Sequence, residues 1–313
     1  MTATVGTVRR ELGVMKLDPR RRRKNTVMRV FFASAAVATF AVTVLIVLTL
    51  ARDAWSFFRQ VPKADLWTIG WFPRRGLFDI KTLVVGTLMV TGIAMLVAVP
   101  LGLGAAVYLS EYARPKVRKV IKPVLEVLAG IPSVVLGYFA VAYINPNLIT
   151  AVFGSANQAF NLAAAGVAVG ILTIPIVASV SEDALRAVPM ALREASFGLG
   201  ARRSATTFRV VFPAATSGLI AALILGVSRA IGETMVVAIA AGATGGGLFS
   251  TTPLQPGQTM TAAMAALGFG SDQVAGEGLA FLSLYFIGFL LFLLTLVLNV
   301  IGDRLVNRLR EEY

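Results

Sequence analysis

The sequence predicts an all-α polytopic membrane protein with six transmembrane helices. Three observations predict it. Of the 313 residues, 57% are hydrophobic and only 14% charged, where soluble domains carry about a quarter charged residues. The mean hydropathy is +0.78. Several apolar runs reach about 20 residues, a length that spans the hydrocarbon core at a rise of about 1.5 Å per residue.

The elements follow in order. Residues 1–26 read as a basic cytoplasmic tail, with "RRRRK" at Arg20 to Lys24 near its end. The spans are expected at about 27–51, 82–110, 123–144, 163–182, 213–242 and 278–302, together a membrane domain over 27–302. The first run exceeds a signal-peptide core and lacks an A-x-A site, so it reads as a retained helix. Residues 52–81 form an outer loop whose Trp55, Trp67 and Trp71 suit an aromatic belt. Gly86, Gly92, Gly102 and Gly104 in the second span, and "GVAVG" (Gly166 to Gly170) in the fourth, suit close helix packing within the chain. The third and fourth spans read as short and broken by Pro132 and Pro175. Residues 242–259 are turn-rich and uncharged; "MTAAMAALGFG" (260–270) is too short to span and reads as interfacial or re-entrant. Residues 303–313 read as a cytoplasmic tail.

Charge then orients the chain. The segments 1–27, 111–122, 183–212 and 303–313 hold 21 of the 29 Lys and Arg, and the opposite loops hold six. By the positive-inside rule both termini lie in the cytoplasm. The net charge of +13 therefore reflects orientation and contact with membrane lipid, not nucleic acid. The absence of Cys and His excludes thiolate and imidazole metal sites, Ser–His and Cys–His nucleophile pairs and disulfides. No catalytic or metal-binding residue is assigned. There is no G-x-x-x-x-G-K-[ST], so the chain has no P-loop for ATP and no cofactor of its own.

Two stretches carry chemistry. In "SRAIGETMVV" (228–237), Arg229 and Glu233 sit one helical turn apart on one face of the fifth span. Charges at membrane depth normally face a bundle interior and mark a pathway. The order Arg before Glu is the weaker one for helix stability, so a purely structural pair is disfavoured. A guanidinium offers a planar fork of donors matched to oxyanions. Thr234 adds a hydroxyl. Gly130, Pro132 and Ser133 in "AGIPS" break a helix where backbone N–H groups can face an anion. Glu126 beside Lys122 reads as an interfacial ion pair.

The inner loop 183–212 is helix-prone on both sides of Gly200, which suggests helix, turn, helix. Glu194-Ala195-Ser196, three residues, Gly200, nine residues, then Val210-x-Phe212-Pro213 resembles the EAA loop of ABC-importer permeases. There the pattern is E-A-A, G and I-x-L-P at the same spacing. Ser196, Val210 and Phe212 are conservative departures. "LAGIPSVVLGYFA" (128–140) and "SRAIGETMVVAIAAG" (228–242) are similar to permeases of the phosphate-specific importer. The Met after "GET" resembles its C-type member. The resemblance covers most of 80–302.

The resemblance implies a type I ABC-importer permease fold in the bacterial plasma (inner) membrane. It implies an A-type companion permease, two ATPase subunits that bind ATP–Mg, and an extracytoplasmic phosphate-binding protein. Glu194, Ala195, Ser196, Gly200 and Pro213 would then couple to the ATPase. Arg229, Glu233, Thr234 and Ser133 would line the pathway. Two alternatives stand beside it: a permease of this class for sulfate, molybdate or phosphonate, and an ion-coupled secondary transporter with Glu233 as proton carrier.

Overall fold

A computed structural model describes residues 19–154, 158–242, 246–268 and 278–308. They form two units divided between Leu50 and Ala51. The described residues of the first belong to helix α1 (Pro19–Gln60). Its apolar side chains, such as Phe31, Phe32 and Phe40, are exposed.

Among the described residues, five helical stretches are long and apolar enough to cross a membrane: Lys24–Gln60, Ile80–Tyr112, Ser133–Phe153, Leu162–Ala187 and Leu279–Arg308. A sixth arises if Arg203–Ala214 and Thr216–Ile231, bent by 72°, count as one. The core of the second unit is the pair α2 (Ile80–Val107) and α5 (Leu162–Ala187). Their close contact needs missing side chains. A Cβ on Gly166 would lie 2.7 Å from Ile93, and one on Gly170 would lie 2.8 Å from the Ala94 carbonyl. The small residues of both helices thus pack inside this chain. Gly86→Ala is expected to be costly for the same reason, since its Cβ would stand 2.3 Å from the Gln258 carbonyl oxygen. Backbone cannot yield as a side-chain tip can, so a loss of about 1–3 kcal/mol should appear as a lower melting temperature of the solubilised chain.

Three expectations are corrected here. The third span is not 123–144. An amphipathic helix α3 (Pro115–Ala129), with none of its residues buried, ends at Gly130. The apolar stretch then starts as α4 (Ser133–Phe139) and runs on in wider π-helical turns through Ile149 to Phe153. Pro132 favours the break, because it has no N–H to give and biases Ile131 away from the helical region; its own backbone is extended there (ψ 130). Pro175, by contrast, does not break α5; the helix passes through it and buries it. The fifth span is not one helix over 213–242. Residues 203–214 bend into α8 (Thr216–Ile231), which stops before Gly232, and α9 (Met235–Ala240) resumes after Thr234.

The segment after α1 is more ordered than a loop. Strands β1 (Gly70–Phe72), β2 (Leu77–Phe78) and β3 (Gly247–Leu248) make a small antiparallel sheet in the order β2-β1-β3. It ties the segment to the turn-rich stretch before α10 (Met260–Gly268). Trp71 is wholly buried here against Phe57 and Phe78, not at an aromatic belt; Trp55 and Trp67 are exposed. Helix α10 is buried along Met260–Ala263 rather than lying at a surface; residues 269 and 270 of its expected stretch fall outside the described residues. Helix α11 (Leu279–Arg308) packs on α8 and α10.

Candidate functional site

The break between α8 and α9 holds the first candidate site. With no proline to stop it, α8 ends at Ile231, and Gly232 follows as its C-cap. Glu233 therefore sits in the break and not on the helix face that the spacing suggested. The pair still forms: Arg229 Nη1 donates to Glu233 Oε2 at 2.6 Å. The two ends differ in setting. The Glu233 side chain is 4% exposed and that of Arg229 is 39% exposed. Glu233 is also pinned by its backbone. Its carbonyl accepts from the Thr261 hydroxyl at 2.7 Å, and Thr87 accepts from the Met260 N–H at 3.0 Å. The start of α10 thus braces the break against α2. Glu233 Oε1 meets the Val236 N–H at 3.5 Å, near the start of α9. The arrangement is a buried anion that tethers a partly exposed cation by one nitrogen. Among the described residues, Glu233 is the one hydrogen-bond partner of the Arg229 side chain.

Thr234 turns its hydroxyl back to the Gly232 carbonyl at 3.3 Å. Ser133 opens α4, which packs closely on α9 at Gly137, where a Cβ would lie 3.1 Å from Ile239. The fold thus brings the two broken helices together. No hydrogen bond among the described residues joins Ser133 to Arg229, Glu233 or Thr234.

The second candidate site is the knob after α5. It consists of α6 (Met190–Gly198), a turn, and α7 (Arg203–Thr206) with its continuation to Ala214. Gly200 takes φ +79, a left-handed conformation that costs a side-chain-bearing residue about 1–2 kcal/mol. Glu194 and Ala195 are exposed. Leu199, at 90% exposure, makes the apolar tip, flanked by exposed Met190, Phe197 and Phe208. Ser196 is placed otherwise than expected. It is buried, and its hydroxyl shares a 2.9 Å hydrogen bond with Thr206, fastening α6 to α7. Pro213 lies in the bend into α8.

Sequence reasoning missed what holds this knob. Arg193 is buried and donates to the Val188 carbonyl at 2.6 Å, the Leu185 carbonyl at 2.8 Å and Glu111 Oε1 at 2.9 Å. One guanidinium thus fixes the start of α6 to the ends of α5 and α2. Nearby, the fully buried Glu182 accepts from Arg118, and from Lys122 at 3.2 Å, with Arg186 at 3.8 Å. Lys122 also reaches Asp183 at 3.4 Å. Burial disfavours the Lys122 ammonium, but the hydrogen bond and charge of Glu182, joined by Asp183, outweigh it and raise the pKa above 10.5. The signals were an acid closing an apolar span and an Arg beside the EAA Glu. Lys122 therefore pairs with Glu182 and Asp183 rather than with Glu126.

The geometry has known counterparts. The family described as binding-protein-dependent transport system inner membrane component matches residues 98–311. A phosphate transport system permease protein PstC of Pasteurella multocida is 28% identical, over 88% of this chain and 90% of that one. A phosphate transport system permease protein PstA 1 of Mycobacterium tuberculosis is 35% identical over 72% of each. A solved bacterial ABC transporter involved in import of the acidic polysaccharide alginate shares the fold, with TM-score 0.59 at 15% identity, covering 93% of this chain and 100% of that one. The MetNI methionine ABC transporter, in an inward-facing form, gives TM-score 0.54 at 20% identity over 77% of this chain and 97% of that one. A multi-pass helical bundle that carries the EAA spacing on a projecting knob, and that the family matches from residue 98 to residue 311, belongs to the binding-protein-dependent transport system inner membrane component family.

Proposed function

We propose that this chain is the C-type permease subunit of an ATP-driven importer that moves inorganic phosphate into the cytoplasm. The observation that carries the reading is the match, over about nine-tenths of both chains, to relatives named phosphate transport system permease protein PstC. Relatives named PstA 1 match as well, at 35% identity over 72% of each chain, and the C-type reading rests on the longer PstC matches and on the Met after "GET".

The site fits that cargo. Phosphate is a mono- or dianion at neutral pH, and an apolar pathway would exclude it. Arg229 supplies one partly exposed cation whose guanidinium donors match phosphate oxygens. Glu233 holds the guanidinium in place and keeps the net field small, so the anion is passed on rather than trapped. Thr234 and Ser133 stand at the starts of the two packed half-helices and are assigned to the same pathway. The exposed Glu194 and Ala195, the apolar Leu199 tip and the left-handed Gly200 turn suit docking into a cytoplasmic ATPase, which would bind ATP–Mg. Movement of the ATPases would then pass through α6 and Arg193 to the ends of α2 and α5. Two ATPases, the companion permease and an outer binding protein complete the importer. The excess of Lys and Arg in segments 1–27, 111–122, 183–212 and 303–313 supports a reading with both termini inside.

The reading is tested in cells lacking this chain. Complementation should restore phosphate uptake that survives an uncoupler and fails when ATP is depleted. Uptake abolished by the uncoupler would instead mark an ion-coupled transporter. Gly200→Val is expected to weaken co-purification of the ATPase several-fold while the chain remains in the membrane, because a β-branched side chain strains the left-handed turn by about 1–2 kcal/mol.

A further inference from the structure

Helix α3 meets the second candidate site only through Arg118 and Lys122, and the rest of it is sharply two-faced. Val117, Val120, Val124 and Val127 recur at helical spacing and are exposed, Val127 at 73%. The opposite face carries Arg118, Lys119 and Lys122, and Lys116 flanks the stripe. At 15 residues it is about 22 Å long, and its charges forbid a crossing. It joins the spans Ile80–Tyr112 and Ser133–Phe153, so it must run along one membrane face. Exposed Tyr108 and Tyr112 stand at the end of the first of these spans, as interfacial tyrosines do.

The basic face of α3 opens on two adjoining cavities of about 600 and 570 Å³, which share Ser110, Arg118 and Arg186. Arg203 bounds the first, stacked over the Tyr112 ring at 5.2 Å. The acids here are already engaged: Glu111 with Arg193, and Glu182 with Arg118 and Lys122. Glu126 lies on the rim of the second cavity. Lys116, Lys119 and Arg203 make no ion pair among the described residues. Arg118 and Arg186 share the single carboxylate of Glu182, and Lys119 and Arg203 add charge unpaired among the described residues, so the trough carries more cations than acids. Beside an exposed valine stripe it has the two chemistries of a phospholipid, anionic head and apolar tail, in the right order.

The geometry points to α3 as an interfacial helix that binds anionic phospholipid, with the valines in the acyl region and the headgroup phosphate in the trough of Arg118, Lys119, Arg186 and Arg203. A protein occupant fits less well, because lysine is depleted in protein interfaces and here flanks the stripe. Basic clusters against a cytoplasmic leaflet are a recurrent headgroup site. The trough lies against α6, so a lipid bound there would touch the knob directly. The inference does not depend on which anion is transported.

The chain has no cysteine, so a single Val127→Cys can carry an environment-sensitive dye on the full-length protein in vesicles. Brominated phosphatidylglycerol should quench the dye more strongly than brominated phosphatidylcholine at equal mole fraction. Lys116→Gln and Lys119→Gln change exposed residues outside both candidate sites, and each should lower that preference about five-fold. Equal quenching by the two lipids, or none by either, would overturn the assignment. So would loss of quenching when the companion permease is co-reconstituted, which would make the stripe a protein interface. Displacement of phosphatidylglycerol by inorganic phosphate would assign the trough to a soluble oxyanion instead.

Discussion

Arg229→Gln is expected to reduce phosphate uptake by about ten- to a hundred-fold while the importer still assembles. A charge-assisted hydrogen bond contributes about 1.5–3 kcal/mol, and glutamine keeps the length of the side chain while losing the cation. The substitution also leaves Glu233 buried and unpaired, 4% exposed. That second effect would cost stability, so the double variant Arg229→Gln/Glu233→Gln separates the roles. With both charges gone the bundle should regain its wild-type melting temperature. Uptake should stay low, because no cation remains. Recovery of uptake in the double variant would reduce the pair to a structural tether. Amounts of solubilised complex and rates of labelled phosphate uptake, read on the same membranes, give both answers.

Glu182→Gln should have the largest effect on stability. Its carboxylate is fully buried and faces Arg118, Lys122 and Arg186. Removing one member of a buried network strands the others, a loss of about 3–5 kcal/mol when all are enclosed. Here Arg118 and Lys122 retain 22% and 32% exposure and can turn to water, so about 2–3 kcal/mol is expected. The melting temperature of the solubilised chain should fall, and protease sites along α3 should open before those in α5, because α3 buries none of its own residues. A variant as stable and as protected as the wild type would mean that α3 is held by its apolar edge alone. The cluster also bears on coupling, since Glu182 stands a few residues before the turn into α6.

Much of the fold was legible because its signals are local. Pro132 announced a helix break that the structure contains, and Gly200 announced a turn that only a left-handed residue makes cheaply. The errors share a different cause. A hydropathy average over 123–144 merged the valine face of α3 with the apolar α4, although the two belong to separate helices. The period of the valines, not their number, held the information. The break at Gly232 has no proline to signal it; tertiary bonds from Thr261 and the packing of α10 impose it. Trp71 was assigned to a belt because composition cannot tell a half-wet tryptophan from a core one, and the strand pairing that buries it joins residues far apart in sequence.

The candidate sites divide in the same way. Arg229 and Glu233 stood out because charge is costly in an apolar run, and the structure adds which of the two is buried. Arg193 and Glu182 did not stand out. Their partners lie 82 and 64 residues away, and a basic loop offers many candidate pairs. The spacing of the EAA stretch located the knob, but it could not show that Ser196 points inward to Thr206 while Leu199 points out.

The most direct measurement is substrate choice in a cell line lacking this chain and supplied with it again. Labelled phosphate and labelled sulfate would be followed side by side at limiting concentration. Restoration of phosphate uptake, with sulfate unchanged and excess sulfate unable to compete, is the expected result. Restoration of sulfate uptake, or phosphate uptake that sulfate abolishes, would contradict the phosphate assignment and leave a permease of this family for another oxyanion.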